Sequence, residues 1–446
     1  MATNSKDQIK PINVGLLGIG TVGGGTFKVL KRNEEESTRR AGRPIRITKV
    51  ADKNLALATE VTGGGVALTD DAFSVVSDPE IDIVIELIGG CGIAKELVLK
   101  AIANGKHVVT ANKALLAVHG NEIFAAAREK GVMVAFEAAV AGGIPIIKAV
   151  REGLTANRIQ WIAGIINGTT NFILSEMRDK GLPFAEVLKE AQRLGYAEAD
   201  PTFDIEGVDA AHKITILASL AFGIPMQFDK AHVEGIGKLE ADDIKYAEQL
   251  GYRIKLLGIT KRRADGVELR VHPTLIPAKR LIANVEGAMN AILVQGDAVG
   301  ATLYYGKGAG AEPTASAVIA DLVDVTRMQT ADPENRVPHM AFQPGAMDDA
   351  PILPLAEIET GYYLRLRVED KPGVLADITR ILADQQISIG AMIQREPVEG
   401  ESQTDIIILT HVTREKNVDA AIVKIEALPV VKKPVIRLRM EELGST

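Results

Sequence analysis

Residues 12–32 constrain the fold more than any other stretch. INVGLL, Ile12–Leu17, is an unbroken apolar run; Gly18, Gly20 and Gly23 follow in GIGTVG, and TFKVLKRNEEE then reads as a helix. Strand, glycine turn and helix in that order open a dinucleotide-binding βαβ unit. The first glycine permits the turn, the second lets a pyrophosphate approach the backbone, and the third lets helix and strand pack closely. The start of the helix, at Thr21 and Val22, offers free N–H groups to phosphate. The competing reading is a glycine-rich turn in some other α/β unit.

The stretch that follows extends the pattern. A second strand, Ile45–Ala51, ends at Asp52 and Lys53. An acid there would hold the ribose hydroxyls of NAD, and a base would accommodate the 2′-phosphate of NADP; with both adjacent, the choice stays open. A third strand, Ile81–Gly90, is rich in β-branched residues, as a strand buried on both faces should be. Helix 93–104, strand 107–110, helix 122–130 and strand 132–137 complete the alternation. This predicts an α/β fold with a Rossmann-type, doubly wound parallel sheet, whose ligands sit beyond the carboxyl ends of the strands. Asn112 and Lys113, in TANK, lie at one such end and Glu137 opens another. Cys91, near a third, is the only cysteine; a small packed residue is its plainer reading, and a thiolate nucleophile the sharper one.

A single cysteine allows no intrachain disulfide, which fits a reducing cytoplasm. The N-terminal MATNSKDQIKP is too polar for a secretory signal. The net charge of −7 gives no electrostatic reason to expect nucleic acid or an anionic membrane as a partner.

Beyond residue 140 the alternation stops, which predicts an α+β second domain. Strand 159–167, a capped helix in GTTNFILSEMRDKG and helix 184–194 come first. Strands at 252–260, 267–273 and 297–303 suggest an antiparallel sheet with one exposed face, a natural surface for a homo-oligomer, dimer or tetramer. Between them lies GYAEADPTFDIEGVDAAHK, Gly195–Lys213. Its helical spacing would put Glu206, Asp209 and Lys213 on one face. A lysine among acids on a helix that continues as ITILASLAF suits proton transfer, since burial lowers its pKa while carboxylates oppose that. An ordinary ion pair on a solvated face is the bland alternative. YYGKGAGAEPTASAVIADLVDV is a second glycine turn, read either as a further cofactor surface or as a tight helix entry.

Residues 330–360 are proline-rich and read as a linker. From 361 the order is βαββαβ, with the turn DKPG at Asp370–Gly373: a ferredoxin-like unit. The expected domains are 1–140, completed by helix 312–329, for dinucleotide binding; 141–311 for substrate binding and dimerisation; the linker; and 361–446.

Taken together, the glycine turn, TANK, EAAVAGGIP, GYAEADPTFDIEGVDAAHK and GKGAGAEPT, in that order, resemble the homoserine dehydrogenases of the longer bacterial type, and DKPGVLADIT resembles the ligand turn of an ACT domain. The resemblance covers nearly the whole chain. It implies NAD(P)-dependent interconversion of L-homoserine and L-aspartate 4-semialdehyde. It places Lys213 as the proton donor or acceptor, Glu198 on the substrate's amino group, Asp209 as a second acid, and Lys113 near the nicotinamide and the reacting oxygen. It puts Glu137, Val140, Gly142 and Ile144 on a Na+ or K+ site and Gly310 against the cofactor. It assigns an amino-acid effector, L-threonine being the most plausible, to the turn comprising Asp370, Gly373, Val374 and Leu375. Two alternatives stay open: a non-catalytic NAD(P)-sensing regulatory protein, and an acylating semialdehyde dehydrogenase, which would need Cys91 as nucleophile.

Overall fold

The computed structural model describes residues 10–397 and 401–444; most of the polar N-terminal segment lies outside them. The chain forms two compact units. The first comprises the N-terminal part through Ile162 with His212–Asp229 and Asn290–Asp349, and the second comprises Ala163–Ala211, Lys230–Met289 and the part from Ala350 onward.

The first unit holds a six-stranded sheet in the order β3-β2-β1-β4-β5-β6. The strands are β1 (Ile12–Leu17), β2 (Ile45–Ala51), β3 (Ala67–Thr69), β4 (Ile83–Glu86), β5 (His107–Thr110) and β6 (Val134–Ala135), and every pairing is parallel. The connecting helices are α1 (Thr21–Arg32), α2 (Glu34–Ala41), α3 (Leu55–Thr62), α4 (Ala72–Val76), α5 (Gly92–Ala103) and α6 (Lys113–Glu129). β4 is buried along its whole length, as a central parallel strand must be. The helix Ala311–Met328 returns to this unit and packs on α1 at a very short approach: a Cβ on Gly25 would lie 2.6 Å from the Ala311 carbonyl oxygen.

Three expectations here change. The strand expected at 81–90 is only β4, which stops at Glu86, short of the left-handed pair Gly89 and Gly90. The helix expected at 122–130 begins at Lys113, since Asn112 caps it by accepting the Leu115 N–H. The strand expected at 132–137 shrinks to β6, and Glu137 sits in a 3-10 turn.

In the second unit, the strands Tyr252–Arg262 and Val267–Pro277 pair antiparallel over their full length. Val267–Pro277 also pairs in parallel with His232–Val233 and with the last strand, Ile436–Met440. The sheet continues through Glu359–Glu369 and Gln403–Thr410 to Ile389–Gln394. With the helices Val374–Asp384 and Glu415–Glu426 this C-terminal part is the expected βαββαβ unit, closed over a core of Tyr362, Leu364, Leu366, Ile378, Ile406 and Val418. The sheet is therefore mixed rather than antiparallel. The helix Ala241–Gln249 was not anticipated; nor was the strand Met289–Gly296, which falls in the first unit from Asn290 on, where the strand expected at 297–303 is Gly300–Lys307. Between Met328 and Glu359 there are only single 3-10 turns, in line with the prolines.

Candidate active site

The glycine turn is built for its separate jobs. Gly18 has φ +92, and a Cβ there would sit 2.8 Å from the Leu87 carbonyl oxygen. A Cβ on Gly23 would come within 2.0 Å of the Gly18 carbonyl oxygen, whereas one on Gly20 meets nothing within 4 Å. Space is thus kept free over Gly20, and α1 starts there with no side-chain cap on its N–H groups. A pyrophosphate fits both features. Asp52 closes the turn: its Oδ2 accepts the Ile19 N–H at 2.7 Å and its Oδ1 accepts the Asn54 N–H at 2.7 Å. Lys53 donates to the Asp70 carbonyl at 2.9 Å. Gly310 has φ +122 and precedes the helix Ala311–Met328.

At the carboxyl ends of β4 and β5 a buried acid organises the loops. Glu86 Oε1 accepts the N–H groups of Ile88 and Gly89 at 2.9 and 3.1 Å, and Oε2 accepts the Thr110 hydroxyl at 2.7 Å. Thr110 Oγ1 in turn accepts the Asn112 N–H at 3.0 Å, and Asn112 Nδ2 donates to the Gly90 carbonyl at 2.7 Å. Lys113, the first residue of α6, is carried by this network. Glu86 was missed, although an acid in the otherwise apolar IVIELI, residues 83–88, was the signal for it.

The loop after β6 bends sharply, with Ala141 and Gly142 both at positive φ. A non-glycine residue in that region is uncommon and marks a constrained segment. The Glu137 side chain is bonded to the backbone that follows the loop. Its two oxygens accept the Ile147 and Lys148 N–H groups at 2.9 and 2.8 Å. Burial, with Asp321 close by, raises its pKa to about 7. Among the described residues no group of three or more histidine, cysteine, aspartate or glutamate side chains could hold a metal.

Residues 202–213 lie on two helices, not one. The short helix Thr202–Ile205 ends at Glu206, Gly207 takes φ +83, and a new helix runs from Val208 to Phe222. Glu206 is therefore exposed and off the face expected for it, while Asp209 and Lys213 are one turn apart on the second helix and both buried. The break turns Asp204 and Asp209 toward a common partner, Asn167, which donates to Asp204 Oδ1 at 2.7 Å and to Asp209 Oδ2 at 2.9 Å. Asn167 and Asp204 were not singled out in advance; a helix cap was legible at Asn167, but contacts 37 and 42 residues away were not. Glu198 is exposed on the preceding loop, whose backbone is tied down by Gln192 Nε2 donating to the Glu198 carbonyl at 3.1 Å.

In the C-terminal part, Asp370 and Gly373 are exposed in a turn, with Gly373 at φ +94 opening the helix Val374–Asp384; Val374 is buried and Leu375 half-buried. The Asp370 N–H donates to the Ser402 carbonyl at 2.9 Å.

Comparison with known proteins decides the family. A model described as homoserine dehydrogenase matches residues 145–323, one described as homoserine dehydrogenase, NAD binding domain, matches residues 18–137, and an ACT domain model matches residues 362–430. A homoserine dehydrogenase of Pseudomonas aeruginosa is 63% identical over 98% of this chain and 100% of its own length. The chain belongs to the homoserine dehydrogenase family. The crystal structure of a homoserine dehydrogenase from Thiobacillus denitrificans matches with a TM-score of 0.94 at 71% identity, over 98% of this chain and 99% of that one. A hyperthermophilic archaeal homoserine dehydrogenase in complex with NADPH matches at 0.61 and 25% identity, over 71% of this chain and 98% of that one. This homoserine dehydrogenase is an NAD(P)-dependent oxidoreductase acting on a CH–OH group, and it interconverts L-homoserine and L-aspartate 4-semialdehyde. The non-catalytic and acylating alternatives fall away, and Cys91 is left without a nucleophilic role. No helix among the described residues is long and apolar enough to cross a membrane.

Proposed function

We propose that Lys213 moves the proton in the homoserine dehydrogenase reaction, with Glu198 and Asp209 holding the amino acid and Lys113 near the reacting oxygen. The observation that carries this reading is the burial of Lys213, 9% exposed, one helical turn after the equally enclosed Asp209. The nicotinamide, when bound, takes or gives the hydride at the alcohol carbon. The oxygen left on that carbon must lose or gain a proton, and a positioned amine does this as general base or acid. As an ammonium, Lys213 also offsets the charge that develops on the oxygen during reduction. Lys113, presented at the start of α6 by the Glu86–Thr110–Asn112 network, is placed to orient the oxygen. The carboxylate of Glu198 suits the substrate ammonium, and holding both ends of a short substrate is worth much of the rate. The peptide N–H groups of Gly20, Thr21, Val22 and Gly23 hold the pyrophosphate, Asp52 and Lys53 flank the adenosine ribose, and Gly310 contacts the cofactor. Lys213→Ala is expected to lower kcat by roughly 10²- to 10⁴-fold while NADPH binding is retained. Parental kcat in that variant would remove Lys213 from the role.

The carbonyls of Glu137, Val140, Gly142 and Ile144 hold Na+ or K+, since neutral oxygens suit a hard cation of single charge. The cation fixes the sharp loop that Ala141 and Gly142 define. Exchange of monovalent salts for a bulky organic cation is expected to lower activity. The enzyme is a cytoplasmic homo-oligomer, and its ACT domain binds an amino-acid effector, L-threonine, at Asp370, Gly373, Val374 and Leu375. Asp370→Ala is expected to abolish inhibition by L-threonine while leaving uninhibited turnover intact; undiminished inhibition would overturn the assignment.

A further inference from the structure

The break at Gly207 is backed by a second segment. The short strand His232–Val233 leads up to it, and the residues that follow cross it: the Ile236 N–H donates to the Ile205 carbonyl at 2.8 Å. The crossing leaves no room for side chains. A Cβ on Gly235 would lie 2.3 Å from the Ile205 carbonyl oxygen and 2.5 Å from the Glu206 Cα, and one on Gly207 would lie 3.1 Å from Val271 Cγ1 and 3.3 Å from Val233 Cγ1. The strip 233–236 has little ladder of its own. His232 and Val233 pair with Arg270 and Val271, and the Glu234 N–H donates to the Val271 carbonyl at 2.8 Å. Two residues of strand are a weak anchor.

The last strand of the chain lies next along the same edge. Val267–Pro277 gives one edge to Tyr252–Arg262 over its full length. Its two parallel partners therefore share the other edge: His232–Val233 beside Arg270 and Val271, and Ile436–Met440 beside Thr274 and Leu275. A side-chain pair joins them end to end. Glu234 Oε2 accepts Arg439 Nη1 at 2.9 Å and Oε1 accepts Nη2 at 3.0 Å, a two-point fork. Arg439 is itself fixed: it is buried, its Nε donates to Glu415 Oε2 at 2.8 Å, and the same oxygen accepts the Tyr362 hydroxyl at 2.7 Å. Tyr362 belongs to the core of the βαββαβ unit.

We propose that Glu234 and Arg439 are positioning residues of this reaction: a latch that holds the strip 233–236 against the break at Gly207 and so fixes the backbone of the stretch 195–213. The proposal rests on the reading of that stretch as the substrate site. A glycine between two helices is a joint at which the chain can bend, and a shift of about 1 Å in a bound reactant can cost roughly 10²-fold in rate. A support that never touches the substrate therefore bears on turnover. The latch also makes the βαββαβ unit part of the frame of the substrate stretch, because the arginine that closes it comes from that unit's last strand.

The test must separate positioning from plain stability. Glu234→Gln keeps the shape of the side chain but loses the fork, and it leaves Arg439 bonded to Glu415. Gly235→Ala strains the same crossing without changing a charge. Gly237→Ala is the control, since its Cβ would meet only the end of the Glu206 side chain, at 3.5 Å. The three are compared with the parent enzyme for Tm, for kcat/KM of both amino-acid substrates and for KM of NADPH, with Glu198→Ala alongside. The latch requires kcat/KM for L-homoserine and L-aspartate 4-semialdehyde lowered roughly 10- to 100-fold in Glu234→Gln and Gly235→Ala, an unchanged KM for NADPH, and parental values in Gly237→Ala. A parental kcat/KM in Glu234→Gln while Glu198→Ala is impaired would overturn the latch alone, whatever Gly235→Ala does. Should Glu198→Ala be unimpaired as well, the placing of the substrate on the stretch 195–213 fails, and the latch with it. A KM for NADPH that rises as far as the amino-acid kcat/KM falls would show general loosening and would overturn the latch too. If Gly235→Ala does not fold, Glu234→Gln decides the question.

Discussion

A single methyl group distinguishes the glycines of the cofactor turn. At Gly23 it would be driven into the Gly18 carbonyl at 2.0 Å, where backbone meets backbone and neither can yield cheaply. At Gly20 it would enter open space. Gly23→Ala is therefore expected to cost about 1–3 kcal/mol of stability, and Gly20→Ala to leave Tm near the parental value while weakening NADPH binding. Calorimetry beside a fluorescence titration with NADPH checks both; a Gly20→Ala enzyme that binds NADPH normally would contradict the reading of the turn. The turn at Gly18 and the close packing at Gly23 were legible from spacing alone, because the turn is local. The bonds from Asn167 to Asp204 and Asp209 and the Glu86 network were not, because each joins residues brought together only by the fold. The supposed shared face of Glu206, Asp209 and Lys213 failed for a local reason: Gly207 adopts a left-handed conformation and ends the helix there.

The outer edge of the parallel sheet shows how an irregular segment earns its place. β6 would present an unpaired backbone edge, but His339, from the proline-rich stretch, covers it. Its Nε2 accepts the Val134 N–H at 3.1 Å, and its other ring nitrogen is available to the Val132 carbonyl. On the inner side His107 Nδ1 accepts the Met133 N–H at 2.9 Å. Burial holds both imidazoles at a pKa of about 4. For a base whose pKa is depressed on folding, the unfolded chain binds the extra proton between the two pKa values. The stability that these two histidines contribute is thus full above pH 6.5 and declines as pH falls toward 4, while Glu137, its pKa raised to about 7, contributes with the opposite sign. His339→Phe keeps the stacking on Phe124 but orphans the Val134 N–H, at a cost of about 1–3 kcal/mol, and should flatten part of that decline. An unchanged Tm and an unchanged acid profile would contradict this. The proline content predicted an irregular stretch correctly; that one of its histidines completes a strand edge is invisible without the neighbour it bonds.

At the scale of the whole molecule, the ACT part is built into the second unit rather than hung from it. Its last strand pairs with Val267–Pro277 through Thr274 and Leu275. Around that seam Arg439, 1% exposed, bonds Glu415 and Glu234, while Arg270, 0% exposed, bonds Glu268 and Glu441. Asp243 is bonded by Arg365 at 2.7 Å and by the Tyr363 hydroxyl at 3.0 Å. Burial alone would raise the Glu441 pKa, but Lys261 and Arg270 outweigh it and hold it at about 2. The seam is accordingly stable above pH 4.5 and loosens as pH falls toward 2. Deleting residues 361–446 would take Glu441 from Arg270, Arg439 from Glu234 and Arg365 from Asp243, and breaking a buried pair costs about 3–5 kcal/mol. Such a truncated chain should melt well below the parent; a parental Tm would show the seam to be dispensable. The βαββαβ order of this part was readable from hydrophobic periodicity, but its parallel join to a strand 160 or more residues earlier was not, since long-range pairing leaves no periodic trace. The central claim, that an amine on the helix Val208–Phe222 moves the proton for hydride transfer, is tested most directly by chemical rescue. NADPH loss with L-aspartate 4-semialdehyde is followed for Lys213→Ala with and without small primary amines. The account predicts negligible turnover alone and turnover restored in proportion to added amine; parental turnover without any amine would contradict it.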